Sequence, residues 1–436
     1  MGMSLANDRA AQLLTRLDER LDLPSAHSRL ESASATIGWG DDAETPWGQA
    51  AILAAVACAA KMFRGGVFLA PGPDARWRLA APAPPSLRRA LQMAGARLGP
   101  APASAVALHV GRGGPAGRLT AWTDGWDAVV GPASPPSEVQ PGNEVSGALA
   151  AALLVAEAFR THILKDLLAG RRTVRLSAWG LDAPPSAALA YLPRELWLLG
   201  VGNLGQATLF VLGLLPYPDP ALLHLLFQDG DVAGPENLSV QILTTPAWIG
   251  RRKAREAAAW AERRGFQAQV CERRFDETTR PGRGEPRLLL AGVDNIETRR
   301  LTPAAGFDLV IDAGLGATGP EAFDLRLHAF PGRRSAEQAW PVFETEQANL
   351  TPALEKAVRE GLMDMCGALT VAGKSVGVPC TALAAAALQV GQACRAIATG
   401  RCADRLDLSL RRPSAAVWGD MPTGLRDLAF VDAALT

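Results

Sequence analysis

The sequence predicts an α/β fold whose second half contains a Rossmann-like nucleotide-binding unit. The first observation is a short apolar strand at residues 196–199, which leads directly into a G-x-G-x-x-G loop. The second is the helix-compatible segment that follows it, residues 206–215, and the third is another apolar strand, residues 222–227, ending on acidic residues. Strand, glycine loop, helix and strand in this order are typical of a βαβ unit that binds a nucleotide.

The glycine loop and the acid after the second strand predict where the nucleotide would bind. Gly200, Gly202 and Gly205, with Asn203 between them, let the backbone approach a phosphate, and the following helix offers unpaired N–H groups. Asp229 follows the second strand, where an acidic side chain can accept hydrogen bonds from ribose hydroxyls. The loop alone does not distinguish nicotinamide, flavin and adenylate enzymes.

Polar residues beyond this unit separate those classes. An enzyme that joins a carboxylate to the α-phosphate of ATP needs a carboxylate for Mg²⁺, a lysine for phosphate charge and amides that orient the triphosphate. A dehydrogenase needs none of these after its ribose acid. The chain offers all the required types, set among apolar strands and an alanine-rich helix: Asp229, Asp231, Asn237, Gln241, Lys253, Asp294, Asn295 and Arg299.

In these residues the chain resembles the ThiF/MoeB/ubiquitin-activating-enzyme superfamily, whose pattern is D-x-D, N-L-x-R-Q, a helical lysine and D-N-x-x-x-R. The resemblance covers roughly residues 190–400 and implies a ThiF-type adenylation domain that uses ATP and Mg²⁺. It implies that Asp229 holds the ribose, that Asn237, Gln241 and Lys253 contact phosphates, and that Asp294 binds Mg²⁺. The full set of implied ATP-site residues is Gly200, Gly202, Asn203, Gly205, Asp229, Asp231, Asn237, Gln241, Lys253 and Asn295. The alternative is a Rossmann-like domain whose loops carry solvated charges.

One position departs from the family pattern. Where N-L-x-R-Q has arginine, this chain has Val240. Because a positioned guanidinium contributes strongly to phosphoryl chemistry, either another arginine replaces it or the site is degenerate. The candidate replacements are Arg251 and Arg252, which are near in sequence, and Arg16 and Arg20, which lie in the other half.

A proline- and serine-rich linker near residue 185 divides the chain. We predict a first domain at 1–180, an active adenylation domain at 190–400 and a C-terminal tail at 401–436. The strand-like LDLSL of the tail predicts an edge strand with an extended arm that packs on the body.

The first half has apolar texture similar to the second but lacks its motifs. Residues 147–160 resemble 382–395, and residues 122–130 occupy a place comparable to 306–314. The first half has no G-x-G-x-x-G, no D-x-D and no D-N pair. We therefore predict a degenerate adenylation-like domain that forms a pseudo-dimer with the active C-terminal one. An unrelated α/β domain is the alternative.

Charge, apolar runs and cysteine spacing restrict the other properties. With 44 basic and 44 acidic residues the formal net charge is zero, so no global field would recruit nucleic acid or an anionic membrane. The longest apolar runs, 49–60 and 147–156, are too short to span a bilayer and predict buried helices. The six cysteines form no C-x-x-C pair, which predicts no structural zinc site. The charged amphipathic N-terminus predicts no secretory signal and a cytoplasmic protein.

The ubiquitin-activating branch of the superfamily also captures the adenylated carboxylate on a cysteine, as a thioester. That step needs an exposed thiol on a mobile segment near the α-phosphate. Cys366 fits best because it follows a polar, irregular stretch at 344–361. Cys380 is the second candidate because it opens an alanine-rich helix, whose N-terminus lowers a thiol pKa. The third reading is that no thiol of this chain is catalytic.

The resemblance as a whole implies an enzyme that activates the C-terminus of a ubiquitin-like modifier and passes it to a conjugating enzyme. Activating enzymes with a silent first half resemble those of bacterial ubiquitin-like conjugation operons, some of which are linked to antiviral defence against phage. The implied partners are the ubiquitin-like protein and the conjugating enzyme, with no nucleic acid or membrane; a homodimer stays open. Two alternatives are adenylation alone, for sulfur transfer or peptide modification, and a nucleotide-binding pseudoenzyme that acts as a scaffold.

Overall fold

The computed structural model contains two α/β halves, each built on its own mixed sheet. It describes residues 8–80, 84–115, 117–316, 319–341, 350–372, 375–422 and 428–433. The first half holds a seven-stranded sheet and the second an eight-stranded sheet, and a separate two-stranded sheet joins the chain near residue 191 to its end.

The first half begins with two helices and then enters its sheet. In chain order its elements are α1 (Arg9–Leu17), α2 (Leu23–Ser32), β1 (Ser34–Trp39), α3 (Pro46–Met62), β2 (Gly66–Leu69), α4 (Leu87–Met93), β3 (Ala96–Arg97), β4 (Val106–Val110), β5 (Leu119–Asp124), β6 (Asp127–Gly131), α5 (Glu144–His162) and β7 (Val174–Ser177). The strand order is β3-β2-β1-β4-β5-β6-β7. The strands from β3 to β5 are parallel, and β6 and β7 add antiparallel pairs.

The second half contains the predicted βαβ unit. Its elements are β8 (Tyr191–Pro193), β9 (Glu195–Leu199), α6 (Asn203–Leu212), β10 (His224–Gln228), α7 (Lys253–Glu262), β11 (Gln267–Cys271), β12 (Leu288–Ala291), α8 (Ile296–Leu301), β13 (Leu309–Leu315), β14 (Asp324–Phe330), α9 (Ala336–Ala339), α10 (Pro352–Arg359), α11 (Met365–Ala372), α12 (Pro379–Thr399), β15 (Arg401–Ser409), β16 (Val417–Pro422) and β17 (Phe430–Asp432). The order β11-β10-β9-β12-β13-β14-β15-β16 again has parallel strands up to β13 and antiparallel pairs after it.

Strand order and direction therefore repeat between the halves. The strands β1 to β7 take the same positions in their sheet as β9 to β15 take in theirs, and β16 is an addition at the edge. In both halves one long helix, α5 or α12, precedes the seventh strand. The similar segments 147–160 and 382–395 lie in these two helices. The other predicted correspondence is shifted, because 122–130 spans the β5–β6 hairpin whereas 306–314 leads into β13, the counterpart of β5 alone.

The long helices form the seam between the halves. Helix α5 packs on α12, while α3 packs on α5 and α6 packs on α12. Alanine and glycine allow close approach, since a Cβ at Gly147 would collide with the carbonyl oxygen of Trp47 on α3. Residues 49–60 and 147–156 are buried, apart from Ala60, in α3 and α5, which confirms the predicted buried helices. In the described part of the chain, no helix has the length and apolarity needed to cross a membrane.

The predicted C-terminal tail is not a separate segment. Strand β15 lies between β14 and β16, so it is an interior strand of the second sheet, and the expectation of an edge strand was wrong. Its alternation reflects one buried face, on which Leu406 and Leu408 lie. Beyond it, β17 pairs antiparallel with β8. The end of the chain is thereby attached to the start of the second half.

Candidate functional site

The glycine loop lies between β9 and α6, at the carboxyl ends of the parallel strands. Gly200 has a φ of +84°, a conformation that favours glycine. A Cβ at Gly205 would collide with the carbonyl oxygen of Gly200, whereas a Cβ at Gly202 would meet open space. The loop is thus tight against the helix and open above it, as close approach of a phosphate requires.

Two further features at the N-terminus of α6 fit an anionic ligand. The first turn carries no acidic side chain. The Nδ2 atom of Asn203, the first helical residue, is buried and has no hydrogen-bond partner among the described residues. Because buried donors are normally paired, this amide and the helix N-terminus favour a ligand rich in acceptor oxygens.

Asp229 follows β10 and folds back onto the glycine loop. Its Oδ2 accepts a hydrogen bond from the backbone N–H of Val201 at 2.6 Å, and its Oδ1 accepts one from Asp231 at 2.7 Å. Burial raises the pKa of this carboxyl, against the charge of Lys253 and the two N–H donors. The structure places Asp229 beside the loop, and its contact with a ribose stays a prediction.

Lys253 is the first residue of α7 and faces the acidic turn after β10. Its Nζ lies 3.0 Å from Oδ2 of Asp231, and its backbone N–H donates to the Asp231 carbonyl at 3.0 Å. The side chain of Lys253 is 10% exposed and that of Asp231 is 65% exposed. An ammonium held by a single exposed carboxylate is available to a phosphate that approaches from the solvent side.

Asn237 and Gln241 are buried in the turn that lies between Asp231 and α7 in the chain. Asn237 caps this turn through its own side chain. The Oε1 of Gln241 accepts hydrogen bonds from Gln206 Nε2 at 2.7 Å and from Thr244 Oγ1 at 2.9 Å. Gln206 also donates to the Val201 carbonyl of the glycine loop at 3.3 Å. Asn237 thus stabilises the turn itself, whereas Gln241 connects the turn to the glycine loop through Gln206.

Asp294 and Asn295 lie between β12 and α8, beside the glycine loop in the sheet. Asn295 caps α8 by accepting from the Thr298 N–H at 3.0 Å, and the side chain of Asp294 is exposed. Buried Arg299 donates to the Val293 carbonyl and pairs with Asp312, Nη1 to Oδ1, at 2.7 Å. The motif arginine therefore supports the turn that carries Asp294.

The donor set suits Mg²⁺ bound together with a substrate. Among the described residues, no group of three or more His, Cys, Asp or Glu side chains could hold a metal by itself. Mg²⁺ is commonly held by one or two carboxylates plus substrate phosphates, which is what an exposed Asp294 next to the phosphate loop offers. The residues fit the implied ion.

Val240 occupies the family's arginine position without leaving room for a cation. Val240 is fully buried. A Cβ built on Gly377, in the segment before α12, would lie 3.7 Å from the Cβ of Val240. Of the nearby candidates, Arg251 is exposed and pairs with Glu256, and Arg252 donates to the Gly230 carbonyl in the acidic turn. Of these two guanidinium groups, that of Arg252 is bonded to the acidic turn after β10, whereas that of Arg251 is bonded to α7.

Arg20 and Arg16, the candidate replacements in the first half, have different surroundings. Arg20 is 90% exposed and pairs with neighbouring Asp18, so nothing directs it to the glycine loop. Arg16 donates to the Ala372 carbonyl at the end of α11, at 3.1 Å. Arg16 therefore joins the first half to the second.

Sequence reasoning missed Arg9, the first residue of α1. Burial lowers the pKa of its guanidinium, and the carboxylates of Glu236 and Asp294 act against that shift. Its Nε is buried and has no hydrogen-bond partner in the described part of the chain. The preceding Asp8 caps α1 and is held by both arms of Arg64. The carboxylates of Glu236 and Asp294, in the second half, thus act electrostatically on a guanidinium of the first half.

The two candidate thiols differ in what the structure says of them. Cys366 is the second residue of α11, and its side chain lies outside the described residues. The predicted irregular stretch contains α10, and its residues 344–349 also lie outside. Cys380 is fully buried, and burial raises its pKa to about 12. The prediction that the helix N-terminus activates Cys380 was wrong, because desolvation of the thiolate outweighs the helix dipole.

The equivalent edge of the first sheet has different chemistry. After β1, the turn 41–44 carries Asp41, Asp42 and Glu44 where α6 carries no acid. Asp42 pairs with Arg112 at 3.0 Å, and a Cβ at Gly40 would collide with the Arg112 carbonyl. Three carboxylates and a closed loop disfavour a phosphate at this position.

Known protein families match both halves of the chain. Two family models match, described as the BilD N-terminal domain over residues 34–178 and the BilD C-terminal domain over residues 192–400. A "Bacterial E1-like protein BilD" from Collimonas sp. (strain OK412) is 38% identical over 276 residues, which are 60% of this chain and 59% of that protein. The chain thus spans about three-fifths of the length of the curated relative it matches.

Solved structures of lower similarity include two of Escherichia coli MccB, one with MccA-N7isoASN and one with succinimide. Each is 12% identical and covers 52% of this chain and 64% of that chain, with TM-scores of 0.37 and 0.36. Similarity at that level carries no argument about the reaction. The two domain models, which match successive parts of the chain, and the 38% identical relative support the E1-like superfamily for this chain.

Proposed function

We propose that this chain is an ATP-dependent activating enzyme for a ubiquitin-like modifier. The observation that carries the proposal is the convergence of phosphate-binding features on three adjacent strands. The open glycine loop with the unpaired amide of Asn203 follows β9, Asp229 follows β10, and Asp294 follows β12, with Lys253 facing the β10 turn. The E1-like description of the relative supports the same reaction class.

The proposed chemistry assigns a role to each of these residues. A carboxylate oxygen of the modifier's C-terminus attacks the α-phosphorus of ATP, and the bond to pyrophosphate breaks. The N-terminus of α6 and Lys253 stabilise negative charge on the phosphates, and Asp229 orients the ribose. Asp294 would hold Mg²⁺, whose charge would offset that of the triphosphate and make pyrophosphate a better leaving group.

We further propose that only the second half is active and that the halves form a pseudo-dimer. The repeated strand order supports a common origin of the domains at 1–180 and 190–400, while the acidic turn at 41–44 argues against phosphate binding in the first. The first half would contribute by covering the seam helices and by placing Arg9 near Asp294.

Arg9 is the residue we propose in place of the arginine missing at Val240. Arg9→Ala should lower the rate of ATP–pyrophosphate exchange on the order of 10²-fold or more, because a positioned arginine stabilises charge on the transferring phosphoryl group. Exchange with the cognate modifier present is the measurement. Arg20→Ala, which removes an exposed arginine of the same region, is the matched control and should leave the rate unchanged. If Arg9→Ala exchanges pyrophosphate as fast as Arg20→Ala does, Arg9 takes no part in adenylation.

After adenylation, we propose that the thiolate of Cys366 attacks the anhydride carbonyl, a thioester forms and AMP leaves. The modifier then passes to a conjugating enzyme, in the cytoplasm, where thiols stay reduced. Adenylation without a thioester is the second candidate. It is favoured by the burial of four of the five described thiols, namely Cys58, Cys380, Cys394 and Cys402.

The experiment that tests the function uses the full chain, Mg²⁺–ATP and a purified ubiquitin-like protein. Exchange of labelled pyrophosphate into ATP that depends on the modifier's free C-terminal carboxylate would support adenylation. A modifier shortened by its last two residues is the control. ATP binding without any exchange would instead favour the pseudoenzyme scaffold.

A further inference from the structure

We infer that Lys61 of the first half is a positioning residue for the nucleotide site of the second half. The inference rests on the proposed function. Lys61 lies in the last turn of α3, and its Nζ donates to the Leu238 carbonyl at 3.2 Å and the Thr244 carbonyl at 2.7 Å. One side chain from the first half thus binds two points, six residues apart, of the turn that carries Val240 and Gln241.

The chemistry of this contact is unusual for a lysine. Burial lowers the pKa of its ammonium to about 8, and in the described part of the chain its bonding partners are these two neutral carbonyl oxygens. Enclosing a cation without a carboxylate costs free energy. A methionine would bury a chain of similar length without that cost, so packing alone does not account for a lysine here.

The turn that Lys61 holds is bonded to the glycine loop. Thr244 Oγ1 donates to Oε1 of Gln241 at 2.9 Å and lies 3.1 Å from Oε1 of Gln206. Gln206 then donates to the Val201 carbonyl, and its Oε1 accepts the N–H of Leu243 at 3.1 Å. A continuous set of hydrogen bonds therefore connects the first half to the loop beneath the predicted phosphates.

Displacement of this turn should lower the affinity for ATP more than it lowers the stability of the fold. Buried carboxamides are satisfied only in one arrangement, so a shift of the Leu238 and Thr244 carbonyls would move the Gln206–Gln241 pair and the loop. Positioning errors of about 1 Å can cost on the order of 10²-fold in rate. Lys61 touches no nucleotide atom in this scheme and acts only through the turn.

The test compares Lys61→Met with Lys61→Arg and the wild type, by calorimetric ATP binding and by exchange kinetics. We expect Lys61→Met to raise Kd and KM for ATP about tenfold at an unchanged melting temperature. Lys61→Arg, which keeps a cation, should recover most of the affinity. In a cycle with Gln206→Ala, the two losses of ATP affinity should be less than additive, because both act on one network.

Lys356→Met is the matched control, because it also removes a lysine that joins the halves. Lys356 Nζ lies 2.6 Å from Asp22 Oδ2 and 3.8 Å from Glu360 Oε1, and neither partner belongs to the turn that Lys61 holds. Loss of Lys356 should therefore leave ATP affinity unchanged. Unchanged affinity in Lys61→Met, or an equal loss in Lys356→Met, would overturn the inference. If Lys61→Met does not fold, Lys61→Gln takes its place, and wild-type affinity in that variant would overturn the inference. Failure of the wild type to bind ATP would contradict the proposed function instead.

Discussion

Asp294→Ala is expected to abolish modifier-dependent ATP–pyrophosphate exchange, with a loss on the order of 10³-fold or more. The physical reason is that the triphosphate would lose its protein-held Mg²⁺, so pyrophosphate would leave with uncompensated charge. The fold should persist, because the Asp294 side chain is exposed and the turn is held by Arg299 and Asp312 rather than by Asp294. Exchange and circular dichroism on the same preparation measure both expectations.

Glu297→Ala provides the control for charge. Glu297 is an exposed acid in the first turn of the same helix, so the variant removes one negative charge three residues away. Its exchange rate should stay near that of the wild type. Full exchange by Asp294→Ala at saturating Mg²⁺ would remove Asp294 from the site. A loss in both variants would indicate a general field effect rather than a metal ligand.

The βαβ unit could be predicted because its signals are local. The glycine loop, the apolar strands on either side and Asp229 all lie within one short stretch, and backbone geometry fixes how such a stretch folds. The structure places Gly200, Gly202, Gly205, Asp229 and Lys253 at one edge of the second sheet. In the sequence, the repeated strand order was indicated by the similarity between residues 147–160 of α5 and 382–395 of α12, and by the shifted correspondence of 122–130 with 306–314.

Contacts between the halves could not be predicted from the sequence. Arg9 and Lys61 reach partners more than 170 residues away, and neither stands in a motif. The sequence suggested Arg16 and Arg20, but Arg20 lies beyond α1 and pairs with Asp18, and Arg16 donates to the Ala372 carbonyl. Which side of a helix faces the partner half depends on packing, to which periodicity in an alanine-rich sequence gives little guidance.

Burial explains the error at Cys380. The sequence indicates that this cysteine begins a helix, and a helix N-terminus does stabilise a thiolate. The sequence does not indicate that the N-terminal end of this helix, α12, is fully buried in the folded chain. A helix dipole contributes about 1 kcal/mol, whereas full desolvation shifts a pKa by several units in the opposite direction.

Cys366→Ala should still exchange pyrophosphate but should form no modifier adduct that dithiothreitol removes. Adenylation needs the glycine loop, Lys253 and Asp294, whereas capture needs one thiolate within reach of the anhydride. Non-reducing electrophoresis after incubation with Mg²⁺–ATP and modifier is the measurement.

Two cysteine variants control this experiment. Cys271→Ala removes the half-buried thiol at the end of the edge strand β11, and Cys380→Ala removes the enclosed thiol with a pKa of about 12. Both should form the adduct at wild-type levels, because the proposal assigns capture to Cys366. Cys271 is the more stringent control, since its carbonyl accepts a hydrogen bond from the N–H of the predicted ribose ligand Asp229 at 3.2 Å. An adduct that persists in Cys366→Ala and disappears in Cys271→Ala would transfer the nucleophile to β11. If the wild type exchanges pyrophosphate and forms no adduct at all, the chain is an adenylating enzyme that hands its modifier directly to another acceptor.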